Sequence, residues 1–122
     1  MIRTQGLTHI HLVVRDLERS LRFYTSVFGM EERFRAGPKM VFLNTPGSSD
    51  LITLNEDPAE AQLAGVNAGV AHFGLRLMSK ADLDAAIAEV EAAGGKLVRR
   101  GEHSRGASFA YVQDPDGYVI EL

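Results

Sequence analysis

A chain of 122 residues with 45% hydrophobic and 24% charged side chains has the length of one domain and enough apolar matter to build a core, which excludes an intrinsically disordered chain. A formal charge of −3, with basic residues scattered along the chain, leaves no electrostatic footprint for nucleic acid or for an acidic membrane surface. Cysteine is absent, which excludes disulfides, thiolate metal sites and cysteine nucleophiles and leaves carboxylates and four histidines as the strong ligands.

No apolar run approaches the ~18 residues of a membrane-spanning helix, and the N-terminus has no basic and then hydrophobic export signal, so the expected location is the cytoplasm. From Leu7 to Val14 the alternation predicts a strand with Ile10, Leu12 and Val14 on one face and His9, His11 and Val13 on the other. Asp16 suits the N-cap of a helix carrying Leu17, Leu21, Tyr24 and Phe28 at helical spacing, and Gly29 suits its end. Shorter strands fit Glu31 to Arg35, Lys39 to Asn44 and Asp50 to Asn55, punctuated by Gly37-Pro38 and by Pro46-Gly47-Ser48-Ser49. The stretch from Glu56 to Gly69 is small, acidic and irregular, and reads as a linker with room for a helical turn.

The pattern then begins again. A strand is predicted over Ala71 to Leu77, then a helix capped by Ser79 with Leu83, Ile87 and Val90 on its apolar face, ending at Gly94-Gly95, then three more strands. The last two strands fold back on Asp114-Pro115-Asp116-Gly117, where Pro115 presets φ and Gly117 can take positive φ. This turn pairs Gln113 with Val119 and Tyr111 with Glu121, so Phe109, Tyr111, Gln113, Val119 and Glu121 share one face, and Ala110, Val112, Ile120 and Leu122 the other.

The chain is therefore an internal repeat of two β-α-β-β-β modules, residues 5–56 and 70–122, joined by a linker over 57–69 within one α+β domain. Aligning the halves pairs His9 with His72, Phe42 with Tyr111, Asn44 with Gln113 and Thr53 with Glu121. His9, His72 and Glu121 then line one concave surface. Two imidazoles and one carboxylate leave positions open on a metal, as Lewis-acid or oxygen chemistry requires; the alternative is a metal-free cup. His11 lies on the same face as a candidate hydrogen-bond donor, and the Thr53 hydroxyl is too poor a ligand to complete the set.

The runs His9 to Leu17 (His-Ile-His-Leu-Val-Val-Arg-Asp-Leu), Phe23-Tyr24 with Gly29, His72-Phe-Gly-Leu, and Asp114-Pro-Asp-Gly-Tyr-Val-Ile-Glu121-Leu together resemble the vicinal oxygen chelate superfamily. That group includes glyoxalase I, extradiol dioxygenases, fosfomycin-resistance proteins and bleomycin-resistance proteins. The resemblance implies paired modules forming a cupped mixed sheet around one divalent ion (Fe2+, Mn2+, Zn2+ or Ni2+), with His9, His72 and Glu121 at the shared ligand positions. It also implies a homodimer, with the cup built within one chain or between two.

Departures from the individual groups narrow the expected activity. Glyoxalase I has a fourth ligand, a Glu, where this chain has Thr53. Tyr111 matches a tyrosine that fosfomycin-resistance enzymes use near the metal, but the segment that supplies their phosphonate arginine would follow Leu122, where this sequence ends. Bleomycin-type binders usually lack the ligands found here. Extradiol dioxygenases use two His and one Glu, although most are twice this length. The expectation is a metal-dependent enzyme that chelates a small substrate through adjacent oxygens, closest to an extradiol dioxygenase. Alternatives are a glyoxalase-like lyase or isomerase, a resistance transferase, or a non-catalytic antibiotic-binding protein. Tyr111 and His11 are the candidate acid and base groups. Met40, Phe42, Thr53, Arg76 and Phe109 are the candidate pocket, and Arg99, Arg100, His103, Ser104 and Arg105 further candidates to meet an anionic substrate.

Overall fold

The computed structural model describes residues 1–65, 69–79 and 83–122. Strand β1 (Ile10–Val14), helix α1 (Leu17–Phe28) and strands β2 (Glu31–Arg35), β3 (Met40–Asn44) and β4 (Ile52–Glu56) form the first sheet, ordered β1-β4-β3-β2. After a 3-10 turn at Glu60–Leu63, strand β5 (Phe73–Gly74), helix α2 (Leu83–Ala92) and strands β6 (Lys96–Glu102), β7 (Ser108–Gln113) and β8 (Val119–Glu121) form the second, ordered β5-β8-β7-β6. The outer pairs β1·β4 and β5·β8 are parallel and the others antiparallel, so both sheets are mixed and have the same topology. The expected α+β fold is the one observed.

Helix α1 begins where the sequence signals it. The Asp16 carboxylate accepts from Arg19 N at 2.9 Å, Glu56 Oε2 accepts from Leu17 N at 2.9 Å, and Gly29 closes the helix at φ 62°. Its buried face carries Leu17, Ser20, Phe23 and Tyr24, with Leu21 and Phe28 at the margins. One apolar core joins the two halves: Val14, Phe23, Tyr24, Val41, Leu43 and Leu54 from the first pack in a single cluster with Val90, Ala110, Val112 and Ile120 from the second. Gly95 sits at this junction, where an added Cβ would lie 2.5 Å from the Gln113 carbonyl oxygen and 2.6 Å from Val90. The start of the second helix, which the sequence assigns to a Ser79 cap, involves positions 80–82, outside the described residues.

Each sheet carries one irregularity at the same place. In β2 the register shifts between Glu32 and Phe34, and in β6 between Leu97 and Arg99. An extra residue in an antiparallel strand reverses which face the following side chains occupy. Leu97 pairs with Val112 on the core face, whereas Arg99 pairs with Tyr111 on the opposite one.

The Asp114-Pro-Asp-Gly turn forms with the expected register and a Gly117 φ of 97°, and both its carboxylates are buried. Asp114 accepts from the Tyr24 hydroxyl at 2.8 Å and from the backbone N–H groups of Asp116 and Tyr118. Burial nevertheless pushes the Asp114 carboxyl up from 3.8 to about 6, against the lowering effect of these donors. A folded state that holds the proton more tightly than the unfolded chain gains most from this group below about pH 4 and loses that contribution as pH rises through 6. Relative to Asp114→Asn, the wild type should lose on the order of 3 kcal/mol between pH 4 and 7. Urea melts of both proteins across that range measure the difference, and parallel profiles would contradict it.

Candidate metal centre

The register of the second sheet sets Arg99, Tyr111, Glu121 and Gly74 side by side across β6, β7, β8 and β5. Directly opposed residues project to the same face. From Ala71 to Leu77 the burial alternates, with Phe73, Leu75 and Leu77 half-buried and His72, Gly74 and Arg76 exposed, so His72 joins this face two positions before Gly74. Gly74 leaves the space beside the Glu121 carboxylate free of a side chain. His72 Nε2 lies 3.1 Å from Glu121 Oε2, and His103 Nε2 lies 3.2 Å from Oε1.

The donor pair fits a divalent ion. Ligands bound at about 2.1 Å and subtending roughly a right angle lie about 3 Å apart, the separation that His72 and Glu121 show. Imidazole and carboxylate are also the chemistry suited to Fe, Mn, Zn or Ni in a protein without thiolates.

Aromatic rings wall the pair. The Tyr111 ring lies 4.9 Å from that of His72, Phe109 is 5.2 Å from Tyr111, and His103 is 4.5 Å from Phe109. Phe109 lies flat because its cross-strand neighbour is Gly101, where an added Cβ would come within 2.6 Å of the ring. The Arg99 guanidinium covers both aromatics, 5.6 Å from the Phe109 centroid and 5.1 Å from that of Tyr111. An open cavity of about 490 Å³ runs along Gly74, Arg76, His103, Phe109 and Glu121. A second, of about 210 Å³, is lined by His72, Arg99 and Tyr111.

His72, Glu121, Tyr111 and Phe109 are thus together, with Arg76 beside them. The remaining ligand, acid–base and pocket candidates belong to the first half, where Phe34, Phe42, Thr53 and His11 form the equivalent cross-strand row. Phe34 stacks on Phe42 at 4.3 Å, and Met40 pairs with Asn55 in the next row. Thr53 is fully buried, and its Oγ1 has no hydrogen-bond partner among the described residues. His11 shares a cavity of about 200 Å³ with His72 and Tyr118, whose hydroxyl bonds both the N–H and the carbonyl of Val13. His9 is exposed, and its Nδ1 contacts the Thr8 hydroxyl at 2.9 Å. Among the described residues no three His, Asp or Glu side chains converge closely enough to hold a metal, so His9 does not join His72 and Glu121 within one chain.

His103 and Arg99 belong to this site more closely than the sequence indicates. His103 precedes the turn between β6 and β7, where its N–H donates to the Ala107 carbonyl. The sequence signal was there only in retrospect: residues 99, 101 and 103 share parity once the irregularity at Val98 is known.

The architecture and the His/Glu pair define a class of protein, and comparison with known families agrees. The description "Glyoxalase/Bleomycin resistance protein/Dioxygenase superfamily" matches residues 6–122, and the chain belongs to this superfamily. It is 32% identical to a probable lactoylglutathione lyase of Vibrio parahaemolyticus, over 95% of this chain and 88% of that protein. It is also 32% identical to the catechol-2,3-dioxygenase of Bacillus subtilis, over 94% of this chain but 41% of the relative. The chain spans less than half the length of several curated relatives it matches. Among solved structures, the fosfomycin resistance protein FosX of Listeria monocytogenes superposes with a TM-score of 0.79 at 24% identity, covering 98% of this chain and 93% of the other. A mutant of that protein has been solved with Mn(II) and dihydroxypropylphosphonic acid.

Proposed function

We propose that the protein is an enzyme that binds a small substrate through two adjacent oxygens on a divalent ion held by His72 and Glu121 of one subunit and His9 of the partner subunit. The observation that carries this reading is the 3.1 Å contact between His72 and Glu121 on an aromatic-walled face, with His9 at the repeat-equivalent of His72 on the other sheet. A two-fold dimer that sets the first sheet of each subunit against the second sheet of the other completes two identical sites. It also brings Phe42, Phe34 and Met40 over the substrate as the opposite wall.

A bound divalent ion supplies Lewis acidity, which favours the ionised form of a chelating hydroxyl. The chain's residues do the rest. Phe109 and Tyr111 pack against the substrate's apolar body and exclude water. The Tyr111 phenol, beside His72 and opposite Glu121, donates or accepts a proton at a substrate oxygen. His11 of the partner subunit, in the row of Phe42 and Thr53, is the second proton-transfer group.

Within this class, a dioxygenase acting on a catechol-like substrate is the reading we favour. Thr53, the repeat-equivalent of Glu121, is buried and offers no fourth ligand, so an ion held by His72, Glu121 and the partner's His9 would keep more open positions than one with four protein ligands. The lyase reading is the second, supported by lactoylglutathione lyases that match over nearly their whole length. Protein loaded in turn with Fe(II), Mn(II), Zn(II) and Ni(II) is assayed for O₂ uptake on simple catechols and for turnover of lactoylglutathione. O₂ consumption with ring cleavage supports the first reading, lactoylglutathione turnover alone supports the second, and inactivity in both assays with all four metals counts against enzymatic function.

A further inference from the structure

Among the described residues, four of the ten arginines form ion pairs. Arg15 and Arg19 reach Asp116, Arg35 bridges Glu18 and Glu32, and Arg100 pairs with Asp84 at 2.7 Å. Arg99 differs. Among the described residues it has no carboxylate or hydrogen-bond partner, and its guanidinium is held by the Phe109 and Tyr111 rings instead. Stacking fixes the plane of a guanidinium while leaving its N–H edges available.

Two features make this placement specific to the site. The irregularity at Val98 separates Arg99 from the core-facing Leu97 and delivers it to the row that contains Tyr111 and Glu121. The first sheet has the same irregularity and the same row, but there the position is Phe34, stacked on Phe42. The fold accommodates an aromatic at this point, so it does not require a cation.

Two strand spacings separate Arg99 from Glu121 in the row, roughly 10 Å between backbones. The Tyr111 ring lies 4.9 Å from the His72 ring and 5.1 Å from the Arg99 guanidinium, and the three line one cavity, so a small ligand held at His72 faces Arg99 across Tyr111. We propose that Arg99 binds a carboxylate on the substrate, so that the protein selects chelating substrates that are also carboxylic acids over neutral ones. This rests on the chelate reading above and adds the substrate's charge class to it.

The test uses Mn(II)-loaded protein and isothermal calorimetry with catechol, 3,4-dihydroxybenzoate and 3,4-dihydroxyphenylacetate, which share vicinal oxygens and differ in the acid and its reach. At low salt at least one acid should bind the wild type about tenfold more tightly than catechol, a preference that charge-assisted hydrogen bonds supply. In Arg99→Met the ratio should fall to near one, and Arg99→Lys should keep part of it through its point charge. Arg99 is exposed and makes no ion pair among the described residues, so both variants should melt close to the wild type. Equal binding of catechol and both acids by the wild type overturns the role of Arg99 while leaving the chelate reading intact, as does an undiminished preference in Arg99→Met. Binding of none of the three to metal-loaded protein overturns the chelate reading and this inference with it.

Discussion

Glu121→Ala is expected to reduce bound Mn(II) from about one ion per chain to less than about a tenth, because the two imidazoles that remain compete poorly with water for the ion. The loss should be specific. Glu121 is at the rim of the second sheet, a quarter exposed, with Ala110 and Leu122 completing the backbone ladder around it. Its side chain contributes contacts to His72 and His103 and fills no part of the apolar core. The variant should therefore fold and melt within a few degrees of the wild type while failing to bind metal. Metal analysis after gel filtration reads the first expectation and thermal denaturation the second. Full metal occupancy in Glu121→Ala would remove the carboxylate from the site.

Asp116→Ala should act in the opposite way, costing stability rather than binding. The Asp116 carboxylate has no solvent exposure and accepts from Arg15 N, Arg15 Nη1, Arg19 Nη2 and the buried Ser20 hydroxyl, all in the first half of the chain. Removing one partner of a buried charge cluster costs about 3 to 5 kcal/mol when the other charges cannot escape. Arg15 and Arg19 are each 40% exposed and can recover some hydration, which places the expected loss near 3 kcal/mol. Ser20 has no such route and is left buried without its acceptor. Chemical denaturation of the wild type and Asp116→Ala gives the difference directly. A loss below about 1 kcal/mol would mean that the turn does not anchor the two halves to each other.

What the sequence made legible was local. The Asp16 cap, the Gly29 stop and the Asp-Pro-Asp-Gly register follow from turn and capping chemistry that involves a few adjacent residues, and each forms as expected. Alternation around His72 and the Tyr111–Glu121 pairing followed the same logic, so the shared face of His72 and Glu121, two of the three proposed ligands, was legible. The rest depended on contacts between distant segments. Strand parity reports a side chain's face within its own sheet but not how two sheets are docked, which is why the sequence left open whether His9 meets His72 and Glu121 within one chain or between two. Parity also fails at an irregularity: nothing in Lys-Leu-Val-Arg-Arg announces that Val98 is the extra residue, so Arg99 and His103 stood only among several groups able to meet an anionic substrate and not in the row of Tyr111 and Glu121. Asp114 and Asp116 read as polar turn residues. Their partners Tyr24 and Ser20 lie about ninety residues away, and no local pattern reveals such a pairing.

The central claim, a metal centre shared between two subunits, is tested most directly by complementation. His9→Ala and Glu121→Ala chains carrying different tags are co-expressed, and the doubly tagged heterodimer is purified and analysed for bound Mn(II). In a shared centre, one of the two sites of that heterodimer takes His9 from the Glu121→Ala chain and His72 with Glu121 from the His9→Ala chain, and is intact. The account predicts about one ion per heterodimer, near none in either homodimeric variant and about two in the wild-type dimer. A heterodimer as empty as its parents, beside a fully loaded wild type, would contradict it.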